Sequence, residues 1–483
     1  DMEPLPRSGC NPREPGASST HPVWALPHMW STSPDWTPTK ESIVRSTRPR
    51  AVAMATATIA SLALVLSACS TSSDGGEKET TEGGESSGEE ITLTVATFNN
   101  FGYTDELFAQ YESDHPGIKV EHVKAAKAED ARNNMTTKLG AGGTGLADIE
   151  AVEVDWLPEL AQYPDLFTDL SDPELADRWI QWKTDQATVD GKLIGYGADI
   201  GPEAICYRGD LFEAAGLPSD PAAVADLLGG ADATWEDYFK VGETFVAASD
   251  SAWFDSGMAT YQGMVNQLPN AYEEEDGTPI DLATNQQIID LFNEVLTASA
   301  TLSAGLDQWS PDWDAGFQNN AFATMLCPAW MTGPIEQRSG GVTGWNVADV
   351  FPGGGGNWGG SFLAVPASGK NTEAAKELAA WLTSPEVQTQ AFIEAGTFPS
   401  QVEAQESEEV QTLVNEFFNN APVGAIFSAR AQAIEGAPFK GANYFPIHQT
   451  VQDGIKRVDV EKSGDAASSW EKSLSAFKEL GLS

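Results

Sequence analysis

The chain has 483 residues, more than one ordinary core accommodates at roughly 100–200 residues per domain, so at least two lobes are expected. Its 27 basic and 71 acidic residues give a formal charge of -44, which repels polyanions and argues against nucleic acid as a partner. The same charge keeps an exported chain in solution.

Residues 1–43 are rich in Pro, Trp and polar residues without periodicity or a targeting pattern, and read as a non-native extension with initiation expected at Val44. Residues 44–68 read as a signal peptide: Arg45, Arg48 and Arg50 precede the apolar run Ala51 to Leu66, too short for a comfortable membrane span, and small residues follow. Leu66-Ser67-Ala68-Cys69 resembles the lipobox of bacterial lipoproteins, which implies that Cys69 carries the lipid (palmitate among its acyl chains) and becomes the first mature residue. Residues 69–90, nearly all Ser, Thr, Gly and Glu, bury too little apolar surface to offset their ordering entropy and form a flexible tether. Removing residues 1–68 takes away six basic and five acidic residues, leaving 21 against 66, or -45, so the charge argument is unaffected.

From Ile91 the pattern becomes strand-like: Ile91, Leu93 and Val95 alternate with Thr92, Thr94 and Ala96, then comes the polar, aromatic loop Phe98 to Tyr103. Thr104 can cap a helix bearing Leu107, Phe108 and Tyr111 on one face, and His115-Pro116-Gly117 ends it. A strand at 118–123, a polar helix to Leu139, a strand at 147–154 and a helix from about Leu157 complete a βαβαβ pattern, hence a parallel sheet covered by helices. Ligands of such sheets bind beyond the carboxyl ends of the strands, here the loops with Asn99, Asn100, Asp155 and Trp156. Strand-like segments at 204–207 and 321–326 with nearby helices suggest a second lobe across roughly 200–350. A further strand at 361–365 follows the Gly-rich run from Gly353, then Thr372 caps one helix and Ser384-Pro385 starts another.

At this point several segments, in order, resemble the extracellular solute-binding proteins of carbohydrate ABC importers, the family that includes maltose-binding protein. After the opening strand and loop come Asp190 to Gly197, similar to the hairpin before the crossing between lobes; Cys206 to Pro218, similar to the signature strand and helix; and Thr234-Trp235-Glu236-Asp237-Tyr238. Ala323 to Trp330 resembles the strand leading to a sugar-stacking aromatic, while Gly356 to Ser361 and Ala379 to Glu386 resemble the return crossing and its helix. The match covers about residues 91–480 and is most similar to actinobacterial binding proteins for cellobiose and other β-linked oligosaccharides. It implies an α/β, two-lobed type II periplasmic-binding-protein-like fold, each lobe a mostly parallel sheet flanked by helices. Lobe 1 is expected at 91–198 plus about 358–425, and lobe 2 at 199–357 plus the C-terminal helices to 483. It further implies a monomer without cofactor, anchored on the outer face of the cell membrane, that hands an oligosaccharide to membrane permease subunits. The loop Phe98 to Tyr103 departs from the family in being unusually aromatic and amide-rich.

A sugar presents hydroxyls and apolar C–H faces, so its site needs flat aromatic platforms plus amides and carboxylates. Among 15 Trp, those in loops beside polar residues are the candidates: Trp156, Trp309, Trp313, Trp330 and Trp358, whereas Trp182, Trp253 and Trp381 read as core. Asp155 and Asp199 can accept from hydroxyls, Asn99, Asn100 and Asn357 can donate and accept, and Tyr103, Ser361 and Tyr444 complete the set. Cys10 lies in the extension and Cys69 takes the lipid, so Cys206 and Cys327 are the pair left for a disulfide in an oxidising compartment, two separate buried thiols being the alternative.

The rival classes are an exported glycosidase using two carboxylates and a surface carbohydrate-binding adhesin. Carboxylate pairs mean little in so acidic a chain. His115, His122 and His448 lie near no nucleophile motif, no Gly-x-Ser-x-Gly occurs, no spacing suits a metal, and Gly369-Lys370 lacks the surrounding pattern of a phosphate loop.

Overall fold

The computed structural model of the protein describes residues 90–482; the expected extension, signal peptide, Cys69 and nearly all of the tether lie outside them. Nine strands form two sheets: β1 (Ile91–Phe98), β2 (Ile118–Ala125), β3 (Ile149–Glu153), β4 (Tyr196–Gly197), β5 (Glu203–Arg208), β6 (Ala252–Phe254), β7 (Phe322–Pro328), β8 (Trp345–Ala348) and β9 (Ser361–Ala364). The first sheet has the order β2-β1-β3-β9-β4 and the second β8-β5-β7-β6. In β1 the expected alternation holds, with Leu93, Val95 and Thr97 turned into the core. Every residue of β5, β7, β8 and β9 is buried, as in strands covered on both faces.

The sheets are mixed, which corrects the expectation of mostly parallel ones. β1 is parallel to β2 and β3, but β9 runs against both β3 and β4. In the second sheet β5 runs against β7 and β8, and only the β7–β6 pair is parallel. The reason lies in how the chain crosses between lobes. β1 and β3 run toward the cleft, whereas β9 and β5 start at the crossings and run away from it.

The local signals act as the residues suggest, with one exception. Thr104 accepts from the Leu107 N–H at 3.2 Å, and Ser384 caps helix Pro385–Ala395 by accepting from the Val387 N–H at 3.3 Å. Thr372 instead occupies the first helical position behind Asn371, with no side-chain cap.

Leu93, Val95, Ile149, Phe362, Leu363 and Leu378 belong to the first core. The second sheet is covered on one side by Trp313, Phe317, Phe398 and Phe427 and on the other by Phe212, Tyr238, Phe245 and Trp253. A further cluster joins helices Gly257–Val265, Gln286–Leu302 and Tyr444–Asp459.

Two crossings are tied to each other by hydrogen bonds. The Trp358 N–H donates to the Gly201 carbonyl at 2.8 Å, the Glu203 N–H to the Gly356 carbonyl at 3.0 Å and the Ala198 N–H to the Ser361 carbonyl at 2.8 Å. Contact is so close at Gly201 that a Cβ there would lie 1.8 Å from the Trp358 oxygen. Helix Pro385–Ala395 makes a third link, with Val387 in the first core and Phe392 in the second.

Cys206 in β5 and Cys327 in β7 form a disulfide between adjacent strands, with Cα atoms 5.4 Å apart. This resolves the two alternatives for these residues in favour of the bridge. Because the linked residues are 121 apart, the bridge removes a large amount of unfolded-state freedom, roughly 4–5 kcal/mol on the chain-entropy scale.

Candidate functional site

The ends of the cleft-directed strands and the crossings enclose a cavity of about 220 Å³. On the first-lobe side, β1 delivers Phe98, Asn99, Asn100 and Phe101. Asn99 takes a left-handed conformation, φ +50°, which Asn tolerates well, and the Asn100 side-chain oxygen Oδ1 accepts from the Gly102 N–H at 3.1 Å to close the turn. β3 and the turn that follows it deliver Glu153 and Asp155, while Val154 and Trp156 are buried in the first core. The Asp155 N–H donates to Glu153 Oε2 at 2.9 Å.

Opposite them stand Trp309, Trp330 and Trp358, all partly exposed to the cavity. Trp309 and Trp330 are near-parallel, with centroids 6.2 Å apart and planes 21° apart, and Trp358 meets Trp330 edge-on at 5.9 Å and 88°. The Trp330 indole N–H donates to the Trp358 carbonyl at 2.8 Å, so its orientation is fixed. Trp309 has φ +69°, a conformation that costs a non-glycine residue on the order of 1–3 kcal/mol and persists only where the surroundings impose it. Those surroundings are Arg338, whose guanidinium lies 5.0 Å from the Trp309 ring, and the next residue's cap, Ser310, accepting from the Trp313 N–H at 3.2 Å.

Buried charge surrounds the floor. Asp199 accepts from the Ser361 N–H at 2.7 Å, and burial raises its pKa. Burial, then the neighbouring Asp155 charge, pushes Glu153 up to about 8, so near neutrality it can stand as a hydroxyl donor. Lys183, its ammonium 3.7 Å from the centre of the Phe362 ring, is brought down to about 7 by burial. Asp199 and Glu153, which line the cavity, can accept from and donate to a polyhydroxylated ligand, while the indoles offer flat apolar faces.

Of the residues picked from the sequence, Asn99, Asn100, Asp155, Asp199, Trp309, Trp330, Trp358 and Ser361 line the cavity together. Five others do not. Tyr103 is buried against Phe101 and Phe108 and donates to the Leu382 carbonyl at 3.3 Å. Trp156 fills the first core. Trp313 is fully buried, its indole N–H donating to Asp255 at 2.8 Å. Asn357 ties the crossings, its side chain accepting from the Gly201 N–H at 2.9 Å and donating to the Gly359 carbonyl at 3.0 Å. Tyr444 is buried against Tyr272 and stacked 5.5 Å from His448.

The sequence reading missed Glu153, Phe98, Phe101, Ala128, Pro334, Gly359, Gly360 and Thr397. Period-two alternation back from Asp155 could have found Glu153. Pro334 and Thr397 carry no sequence signal.

Residues 106–418 match the family described as bacterial extracellular solute-binding protein. A crystal structure described as extracellular solute-binding protein family 1 is 44% identical, with a TM-score of 0.71, covering 80% of this chain and 99% of that one. The binding protein from B. animalis subsp. lactis Bl-04, solved in complex with beta-1,6-galactobiose, has a TM-score of 0.66 at 19% identity over 81% of this chain and 97% of its own. The arabinooligosaccharide-binding protein of Bacillus subtilis (strain 168) is 23% identical over 346 residues, 67% of this chain and 74% of the relative. The architecture is thus the two-lobed type II periplasmic-binding-protein-like fold expected from the sequence. The chain belongs to the bacterial extracellular solute-binding protein family.

Proposed function

We propose that the protein captures an oligosaccharide between its lobes and presents it to the permease of an ABC importer, performing no chemistry on it. The observation that carries this reading is the wall of Trp309, Trp330 and Trp358 facing Asn99, Glu153 and Asp155 across one cavity. Rings stack on C–H faces while amides and carboxylates take hydroxyls, and closing both lobes over the ligand stabilises the form that a permease can recognise. Two of the similar proteins bind, by their descriptions, arabino-oligosaccharides and beta-1,6-galactobiose, which supports an oligosaccharide here. Cellobiose or another β-linked oligosaccharide remains our reading of the sugar.

The chain works outside the cytoplasm, as its family does, and we propose that it is anchored through Cys69 and acts as a monomer. Among the described residues no helix is long and apolar enough to cross a membrane, and the anchor assigned to Cys69 needs none. We place the boundary of lobe 1 near residue 390, because Phe398, Val410, Phe418 and Phe427 pack in the second core.

The test is a thermal-shift panel of cello-, xylo-, malto- and chito-oligosaccharides on the lipid-free protein. A true ligand at 100 times its Kd adds about 2.7 kcal/mol of stability. A panel in which no sugar raises the melting temperature refutes the reading.

A further inference from the structure

The sugar cavity shares one residue with a contact that bridges the lobes away from the crossings. Asp155 follows β3 and lines the cavity from the first lobe. Its carboxylate is paired with the Lys440 ammonium, which also donates to the Asn266 side-chain oxygen at 3.2 Å and lies 4.7 Å from the centre of the Tyr444 ring. Asn266, Tyr444 and the segment holding Lys440 belong to the other lobe. That segment is fastened there on both sides of Lys440: the Phe439 N–H donates to the Pro269 carbonyl at 2.7 Å, and the Asn443 N–H to Glu273 at 3.1 Å. The Lys440 and Asp155 side chains are only 5% and 12% exposed. Five residues on, Phe445 packs against the first core with the Arg132 guanidinium 4.3 Å from its ring centre, and Arg132 is itself held by Glu159 at 2.6 Å.

We propose that Lys440 is a positioning residue: with Phe445 it forms a clasp that closes the second lobe onto the first and aims the Asp155 carboxylate into the cavity. Opening the cleft separates Lys440 from Asp155 and returns both charges to water. The pair therefore biases closure through geometry, since desolvation offsets much of its Coulombic gain. One Asp155 oxygen holds Lys440, which leaves the other to accept from a ligand hydroxyl. Occupancy and closure are thereby coupled through a single carboxylate.

The ligand arm of this proposal rests on the oligosaccharide reading, whereas the closure arm does not. In small-angle scattering of the ligand-free protein, Lys440→Met should enlarge the radius of gyration relative to wild type, and Lys440→Arg should restore it. In titrations with cellobiose, Lys440→Met should weaken binding about tenfold or more, chiefly through faster dissociation. Asp155→Asn combined with Lys440→Met should then weaken it no further than the worse single change. Identical scattering from wild type and Lys440→Met overturns the clasp, whatever cellobiose does. A wild type that takes no cellobiose counts against the choice of sugar and leaves the scattering to decide the clasp.

Discussion

Trp330→Ala separates a ligand platform from a core residue. In the unliganded protein this side chain is partly exposed, makes one hydrogen bond to the Trp358 carbonyl at 2.8 Å, and faces Trp309 and Trp358. Its loss should cost the apo fold about 2–4 kcal/mol, from one hydrogen bond of about 1 kcal/mol and two aromatic pairs of about 0.5–1.5 kcal/mol each. Binding weakens as well. The stacking face disappears, and with the Trp358 carbonyl released, the crossing at Gly201 and the second platform shift together. Affinity should fall by on the order of 1–4 kcal/mol, roughly five-fold to several hundred-fold. Trp313→Ala supplies the contrast, since it empties a fully buried site and leaves Asp255 without its indole donor, and should lower stability by about 3–5 kcal/mol. Calorimetric titration and melting of the apo proteins read the two quantities separately. Unchanged sugar affinity with a collapsed apo melt for Trp330→Ala would refute the assignment of platform and core.

Glu153, raised from its ordinary 4.5 to about 8, holds its proton more tightly in the folded chain than in the unfolded one. Its contribution is therefore complete below about pH 4.5 and is lost as pH rises to about 8; Glu153→Gln should flatten that decline, with slope up to about 1.4 kcal/mol per pH unit, in urea melts across the range. Replacing both Cys206 and Cys327 by Ala should remove about 2–5 kcal/mol, read as a lower denaturation midpoint that reductant no longer affects. Gly201→Ala must push the crossings apart, because its Cβ would meet the Trp358 oxygen at 1.8 Å, so sugar binding should be lost even in preparations that retain native circular dichroism.

The strands and the aromatic wall were legible because they depend on local patterns: Leu93 and Val95 alternate inward, and Trp330 and Trp358 follow strand or crossing segments beside polar residues. The same cue misplaced Trp156 and Trp313. Trp156 sits in the turn after β3 and packs into the first core, and Trp313 lies inside the helix that Ser310 caps while Trp309 precedes that cap. Asn357 and Tyr444 are polar groups buried by partners more than a hundred residues away in sequence, Gly201 and Tyr272, which no local pattern reveals. The antiparallel run of β9 likewise depends on where the chain re-enters the first lobe, a tertiary fact.

Cocrystals with the oligosaccharide that gives the largest thermal shift test the central claim most directly. The expected density is a sugar ring stacked on Trp330 between Trp309 and Trp358, with hydroxyls within hydrogen-bond distance of Asn99, Glu153 or Asp155. A sugar bound elsewhere, leaving these three indoles facing solvent, would contradict it.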